Sequence, residues 1–202
     1  MKLYGGIDLH SNNSMISLLD ENDRIIYEQR LPNELALILV ELSPYQEALA
    51  GLVVESTYNW YWLVDGLMEA GYTVHLSNPG ASKSYDGLKH TDDRHDARWL
   101  ARMLRLGILP KGYIYPKAER AVRDLLRKRA QLVSIQTSQI LSIENLLSRN
   151  TGARLNSYRI KRLSAEGLGE LLKLPAQALA AQSNLMVLKA VMAQIMILED
   201  EV

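Results

Sequence analysis

Four carboxylates, Asp8, Glu55, Asp93 and Asp96, stand where the pattern of the chain can gather them at one edge of a β-sheet. Asp8 closes the apolar run Leu3-Tyr4-Gly5-Gly6-Ile7-Asp8, and Glu55 closes Leu52-Val53-Val54-Glu55. Asp93 and Asp96 are three apart at the start of a helical segment and so share one helical face. Carboxylates in mutual contact repel one another unless they take up protons or bind cations, so convergence of four is costly without Mg²⁺ or Mn²⁺. Two such cations about 3.5 to 4 Å apart serve phosphodiester chemistry, one activating the attacking oxygen and the other stabilising the leaving oxygen. In that scheme Asp8 is best placed to bridge, Glu55 and Asp96 each hold one side, and Asp93 is a ligand or a base that positions water.

Each acid also has a plainer reading. Asp93 can be a helix N-cap with Asp96 three residues on, both serving the amide donors and the dipole of the first turn. Asp8 can open a turn after its strand, and Glu55 can cap the helix that follows. One shared site accounts for all four together. Asp92 competes with Asp93, because Asp92 and Asp96, four apart, share a helix face almost equally well, and helix geometry leaves that choice open.

Other side chains around the acids are polar or basic. His10 and His95 flank them, and a local hydrogen bond is favoured there over a contact to metal or phosphate. Arg98, Arg102 and Arg105 continue the Asp93 helix, and Arg120, Arg123, Arg127, Lys128 and Arg129 begin the next long one; both sets suit a nucleic-acid backbone. Trp99 is expected to stack into the core, as are Tyr58, Trp60, Tyr61 and Trp62, whereas Tyr113 and Tyr115 are candidates for base stacking.

The elements that would carry these residues follow from periodicity and turn residues. Three strands are expected at about residues 2–9, 14–19 and 24–31, the last two joined by Asp20-Glu21-Asn22-Asp23. A helix over 34–42 ends at Ser43-Pro44, a fourth strand spans 51–55, and Trp60, Leu63, Val64, Leu67 and Met68 recur at helical spacing up to Gly71. Residues 73–76 give a fifth strand, closed by Asn78-Pro79-Gly80. The order βββ, α, β, α, β, α predicts a mixed five-stranded sheet of the RNase H-like kind, with the first strand central beside the fourth. Asp8 and Glu55 then end as neighbours.

Gly107, Pro110, Gly112 and Pro116 mark a boundary, which divides the chain into a catalytic domain over 1–110 and an all-α region over 111–202. No proline or glycine interrupts 117–150, where Leu126, Val133, Ile140 and Leu147 repeat every seven residues, with Val122 and Ile143 on the partner seam. Such a helix belongs to an imperfect coiled coil or a helical hairpin. Two further helices, over 164–172 and 175–199, follow, and the second can fold back on the long helix or pair with another chain.

A net charge of zero conceals a strong asymmetry. Residues 1–92 carry 5 Lys/Arg against 13 Asp/Glu, a balance of −8, whereas 93–129 carry 11 against 4, a balance of +7. An acidic half beside a basic helical stretch suits metals on the one and phosphates on the other, although a solvated helix face explains the basic run about as well. The longest strongly apolar run, 185–198, is broken by Lys189 and Gln194 and is shorter than the roughly 20 residues that span a bilayer, so no membrane segment is expected. With no cysteine, disulfides and thiolate metal sites are ruled out, and a cytoplasmic location is the expectation.

At these residues the chain resembles the DEDD-type transposases of bacterial insertion sequences, the group that includes the Piv and MooV invertases and the RNA-guided bridge recombinases. The resemblance lies in residues 6–10, in Val54-Glu55-Ser56-Thr57-Tyr58-Asn59-Trp60, in Leu76-Ser77-Asn78-Pro79 and in residues 89–106. It implies a RuvC-like domain whose catalytic and Mg²⁺-binding acids are Asp8, Glu55, Asp93 and Asp96, together with DNA as substrate, a structured guide RNA and a homodimer or higher homo-oligomer as partners. One departure is His90-Thr91-Asp92-Asp93, where the family pattern is Lys-Thr-Asp. The family's second domain, with a serine nucleophile in a Ser-Gly segment, is not evident, so the chain reads as the N-terminal part of such a protein. Two other readings remain. One is a nucleic-acid-binding and dimerisation module that is inactive alone. The other is an actin-like ATPase half, disfavoured because Ser11-Asn12-Asn13-Ser14 replaces the Gly-rich phosphate hairpin of that fold.

Overall fold

The computed structural model describes residues 1–78, 80 and 92–201. Residues Met1–Ile114 and Tyr115–Val202 form two compact units. The first begins with an antiparallel meander, β1 (Leu3–Leu9), β2 (Asn13–Leu19) and β3 (Ile25–Pro32). Asp20 makes the second turn: its Oδ1 accepts from the amides of Asn22 and Arg24 at 2.8 and 2.9 Å, and Asp23 takes a left-handed conformation with φ 62°. Helix α1 (Leu35–Leu42) ends at Ser43-Pro44 as expected and is followed directly by a 3-10 segment, Ser43–Ala48. β4 (Leu49–Val54), α2 (Tyr61–Glu69), β5 (Val74–Ser77) and α3 (Asp93–Arg105) complete the expected order.

Among the described residues the sheet has six strands, not the expected five, in the order β3-β2-β1-β4-β5-β6. The extra one, β6 (Lys111–Gly112), is two residues long and pairs antiparallel with the end of β5. It falls in the segment whose glycines and prolines read as a break, and only the sheet edge makes it a strand. The sheet is open and mixed, with β1 parallel to β4 and antiparallel to β2. This is an RNase H-like arrangement followed by an all-helical region.

Alternation along the strands sorts the two faces of the sheet. Ile7, Leu9, Ile16, Leu18, Leu52, Val54 and Leu76 turn to one side, where they pack with Ile38 and Leu42 of α1 and Leu63, Val64 and Leu67 of α2. Val53 turns to the other side and packs with Leu100 and Met103 of α3. Trp60 is buried as expected, but Tyr58 is 81% exposed: it stands in the loop before α2, outside the helical repeat that buries its neighbours.

The second unit is a helical hairpin. Helix α4 (Lys117–Thr151) ends at Gly152, whose φ of 73° only glycine adopts without strain. Short helices α5 (Ser157–Lys161) and α6 (Ala165–Leu171) lead to α7 (Pro175–Glu201), which folds back antiparallel on α4. Ser142 accepts from Asn184, Asn150 accepts from Gln177, and Arg129 pairs with Glu199. Ile140, Ile143 and Leu147 of α4 pack with Ala181, Leu185 and Leu188 of α7. The seven-residue seam is thus buried in its C-terminal half, while Val122 and Leu126 remain exposed. By length and composition α7 is apolar enough to cross a bilayer, which the broken run 185–198 did not suggest; one of its faces is the stripe that packs on α4.

Candidate metal centre

The centre begins where β1 and β4 end. Gly6 lies beside Val53 and Ile7 beside Val54, and the Glu55 amide donates to the Ile7 carbonyl at 3.0 Å, so Asp8 and Glu55 finish level with one another. Side chains two apart share a face of a strand, so Asp8 points where Gly6 points and Glu55 where Val53 points. That is the α3 face: Val53 packs on Leu100, and a Cβ on Gly6 would fall 1.9 Å from the Ala97 carbonyl oxygen. The missing side chain at Gly6 lets the backbone of α3 lie directly on β1, which sets the first turn of the helix over the ends of the two central strands.

At that first turn Asp92 is the N-cap, its Oδ1 accepting from the Arg94 amide at 3.2 Å. The capping role therefore falls to Asp92, and Asp93 turns inward. Asp93 Oδ2 lies 3.3 Å from His10 Nε2 and 2.5 Å from Arg30 Nη2. The Arg30 hydrogen bond, helped by the His10 ring, holds the Asp93 carboxyl below its usual range. His10 Nε2 is in turn 3.0 Å from Asp8 Oδ2, and Asp8, His10 and Asp93 present three ligand atoms that all lie within 4.8 Å of one another. Beyond Asp8, the Glu55 carboxyl is pushed up to about 8 by burial, then by a hydrogen bond and charge from Asp8 and by the charge of Asp96. Asp96, the most exposed of the four, closes the series.

These residues fit a divalent cation. Asp8 is 3% exposed, and its Oδ2 has no hydrogen-bond partner among the described residues. A buried carboxylate oxygen left so is costly unless a cation meets it. The donors are hard oxygens with one imidazole, a set suited to Mg²⁺ or Mn²⁺.

Three residues without a role in the sequence reading support the centre. Arg30 of β3 bridges Asp93 and Asn13 Oδ1, the latter at 2.9 Å. Asn33 and Asn59 each donate to the His10 carbonyl at 3.0 Å. Nothing local marks Arg30 or Asn33, since both act across strands distant in sequence. Asn59, in the motif after Glu55, carried a signal of place but not of purpose.

The basic residues are placed differently. Arg98 makes a two-pronged pair with Glu28 at 2.5 and 2.7 Å, Arg105 makes another with Asp23 at 2.8 Å, and Arg102 lies 3.3 Å from Asp23. All three bind α3 to the meander. In the second unit Arg120 is 7% exposed and donates to the Tyr115 carbonyl, and Arg123 lies over the Tyr115 ring, 4.7 Å from its centre. Arg127 and Lys128 are exposed, and Tyr113 is exposed as well. His95 lies beside Asp96 rather than at the His10 cluster. Pro79, Lys89, His90 and Thr91, which belong to the motifs quoted above, lie outside the described residues.

A family model described as transposase, that of the IS110-type DEDD transposases, matches residues 5–151. A comparison with curated proteins finds no match. The matched span holds Asp8, His10, Glu55, Asp93 and Asp96 and runs on to the end of α4. A catalytic, metal-binding, nuclease-like function and DNA as a partner are what this family and this cluster of side chains support together. With well over half of its length matched, the chain belongs to the DEDD transposase family of the IS110 type.

Proposed function

We propose that this chain is the acid-bearing part of a DNA recombinase, in which Asp8, Glu55, Asp93 and Asp96 hold divalent metal at a scissile phosphate. The observation that carries this reading is the level finish of Asp8 and Glu55 on adjacent parallel strands, under a helix that turns Asp93 toward the same place. Bound there, Mg²⁺ or Mn²⁺ would polarise a phosphoryl oxygen and lower the pKa of water. The chain's own contribution is to orient: Arg30 and His10 fix the Asp93 carboxylate, and Asn33 and Asn59 fix the backbone at His10.

The finer parts of the proposal rest on the family resemblance: guidance by a structured RNA, kinship with the Piv/MooV and bridge-recombinase group, and a serine nucleophile supplied from outside this segment. The exposed Val122 and Leu126 on the seam of α4 support a homodimer or higher homo-oligomer. The test is Mg²⁺ and Mn²⁺ titration of the 202-residue chain with branched DNA. Metal-dependent cleavage or nicking supports the enzymatic reading, binding of DNA without cleavage supports a nucleic-acid-binding module inactive alone, and failure to bind either metal overturns the proposal.

A further inference from the structure

We propose that His10 is itself a metal ligand, its Nε2 joining Asp8 and Asp93 in a mixed nitrogen–oxygen cation position that takes Mn²⁺ in preference to Mg²⁺. This deepens the metal-dependent reading and rests on it. The first ground is spacing. Nε2 stands 3.0 Å from Asp8 Oδ2 and 3.3 Å from Asp93 Oδ2. Adjacent ligands around an octahedral ion with bonds of about 2.1 Å are roughly 3.0 Å apart, so the ring nitrogen already stands near coordination-shell spacing from each of the two oxygens.

The second ground is that the approach of His10 to Asp8 lacks the geometry of a hydrogen bond. Both Asp8 Oδ2 and His10 Nε2 are buried atoms with no hydrogen-bond partner among the described residues, despite being 3.0 Å apart. A ring nitrogen set between two carboxylate oxygens without the alignment of a good hydrogen bond gains from a cation that all three can share. Arg30 does not fill that place: it reaches Asp93 Oδ2 while also holding Asn13, and a carboxylate oxygen can accept twice.

The third ground is that the ring is delivered there by a fixed backbone. His10 donates its amide to the Asn13 carbonyl at 2.9 Å, and its own carbonyl receives Asn33, from the end of β3, and Asn59, from the loop after β4. A turn residue secured three times over is held as a ligand needs to be. Imidazole suits first-row transition ions, whereas Mg²⁺ favours oxygen and keeps its waters. Glu55 and Asp96, whose charges act on one another near Asp8, offer oxygen alone, so His10 is the nitrogen donor of the group.

The experiment is pulsed electron paramagnetic resonance of Mn²⁺ bound to the 202-residue chain, with calorimetric titration of Mn²⁺ and Mg²⁺. The expected result is nitrogen-14 modulation in the wild-type spectrum that disappears in His10→Ala and persists in His95→Ala. The Mn²⁺ dissociation constant should rise about tenfold or more in His10→Ala, and the Mg²⁺ constant by no more than about threefold. His10→Gln, which offers an amide oxygen, should regain Mn²⁺ affinity without the modulation, and circular dichroism checks that each variant is folded. Mn²⁺ bound by the wild type without nitrogen coupling, or coupling lost in His95→Ala instead, overturns this inference and leaves the metal-dependent reading standing. Mg²⁺ binding without Mn²⁺ binding overturns this inference alone, and binding of neither metal overturns both.

Discussion

Asp8 lies at the end of a buried strand with His10 Nε2 3.0 Å from its Oδ2, and its hydrogen bond and charge also act on Glu55. Asp8→Asn keeps the shape and removes the charge that repels Glu55, so the fold should survive while metal binding does not. We expect Mg²⁺-dependent activity of the protein to fall below detection and the circular dichroism and melting of the chain to stay near those of the wild type; a variant that still cleaves would show that Asp8 is dispensable. The acids themselves were legible in the sequence because strand ends and a three-residue helical spacing are local patterns. Arg30 and the ring of His10 were not. Asp93, which both of them meet, is brought to them by a helix distant in sequence, and His10 adds it to the local contact with Asp8.

Among the elements, the contact of β1 with α3 matters most, and it depends on one glycine. Gly6→Ala would place a methyl 1.9 Å from the Ala97 carbonyl oxygen and 2.7 Å from the Ala101 amide nitrogen, both backbone atoms that yield only if the helix moves. The expected cost is about 3 kcal/mol or more, measured by denaturant unfolding, together with weakened metal binding as Asp93 is carried away from Asp8. Gly169→Ala in α6, where the new methyl meets only the Gln182 amide at 4.0 Å, is the control and should be neutral or stabilising. Strand and helix order was legible because alternation and turn residues reveal it. The pairing of β6 and the division of the α4 seam into buried and exposed halves were not, since each depends on what a distant segment brings to it.

Across the two units, basic residues that look alike in sequence divide by their surroundings. Arg98, Arg102 and Arg105 are occupied by Glu28 and Asp23, and Arg120 is buried at the Tyr115 carbonyl, whereas Arg127 and Lys128 face solvent. If α4 meets a nucleic-acid backbone, the exposed pair should carry the electrostatics. Neutralising both to Gln should lower the slope of log affinity against log salt by roughly 1.5, while Arg98→Gln should chiefly cost stability, about 1 kcal/mol for a half-exposed pair. An unchanged slope in the double variant would remove α4 from the binding surface.

The same strand-to-helix contact has a consequence for how the protein tolerates being cut. Asp93 is brought to Asp8 by the backbone of α3 resting on β1 and by the Arg98 and Arg105 clasps to the meander, not by the peptide bonds that precede the helix. A chain nicked once between residues 78 and 92 should therefore stay together as two fragments that co-elute on gel filtration and still capture Mn²⁺. Fragments that part at once would mean that covalent continuity, rather than packing, assembles the centre.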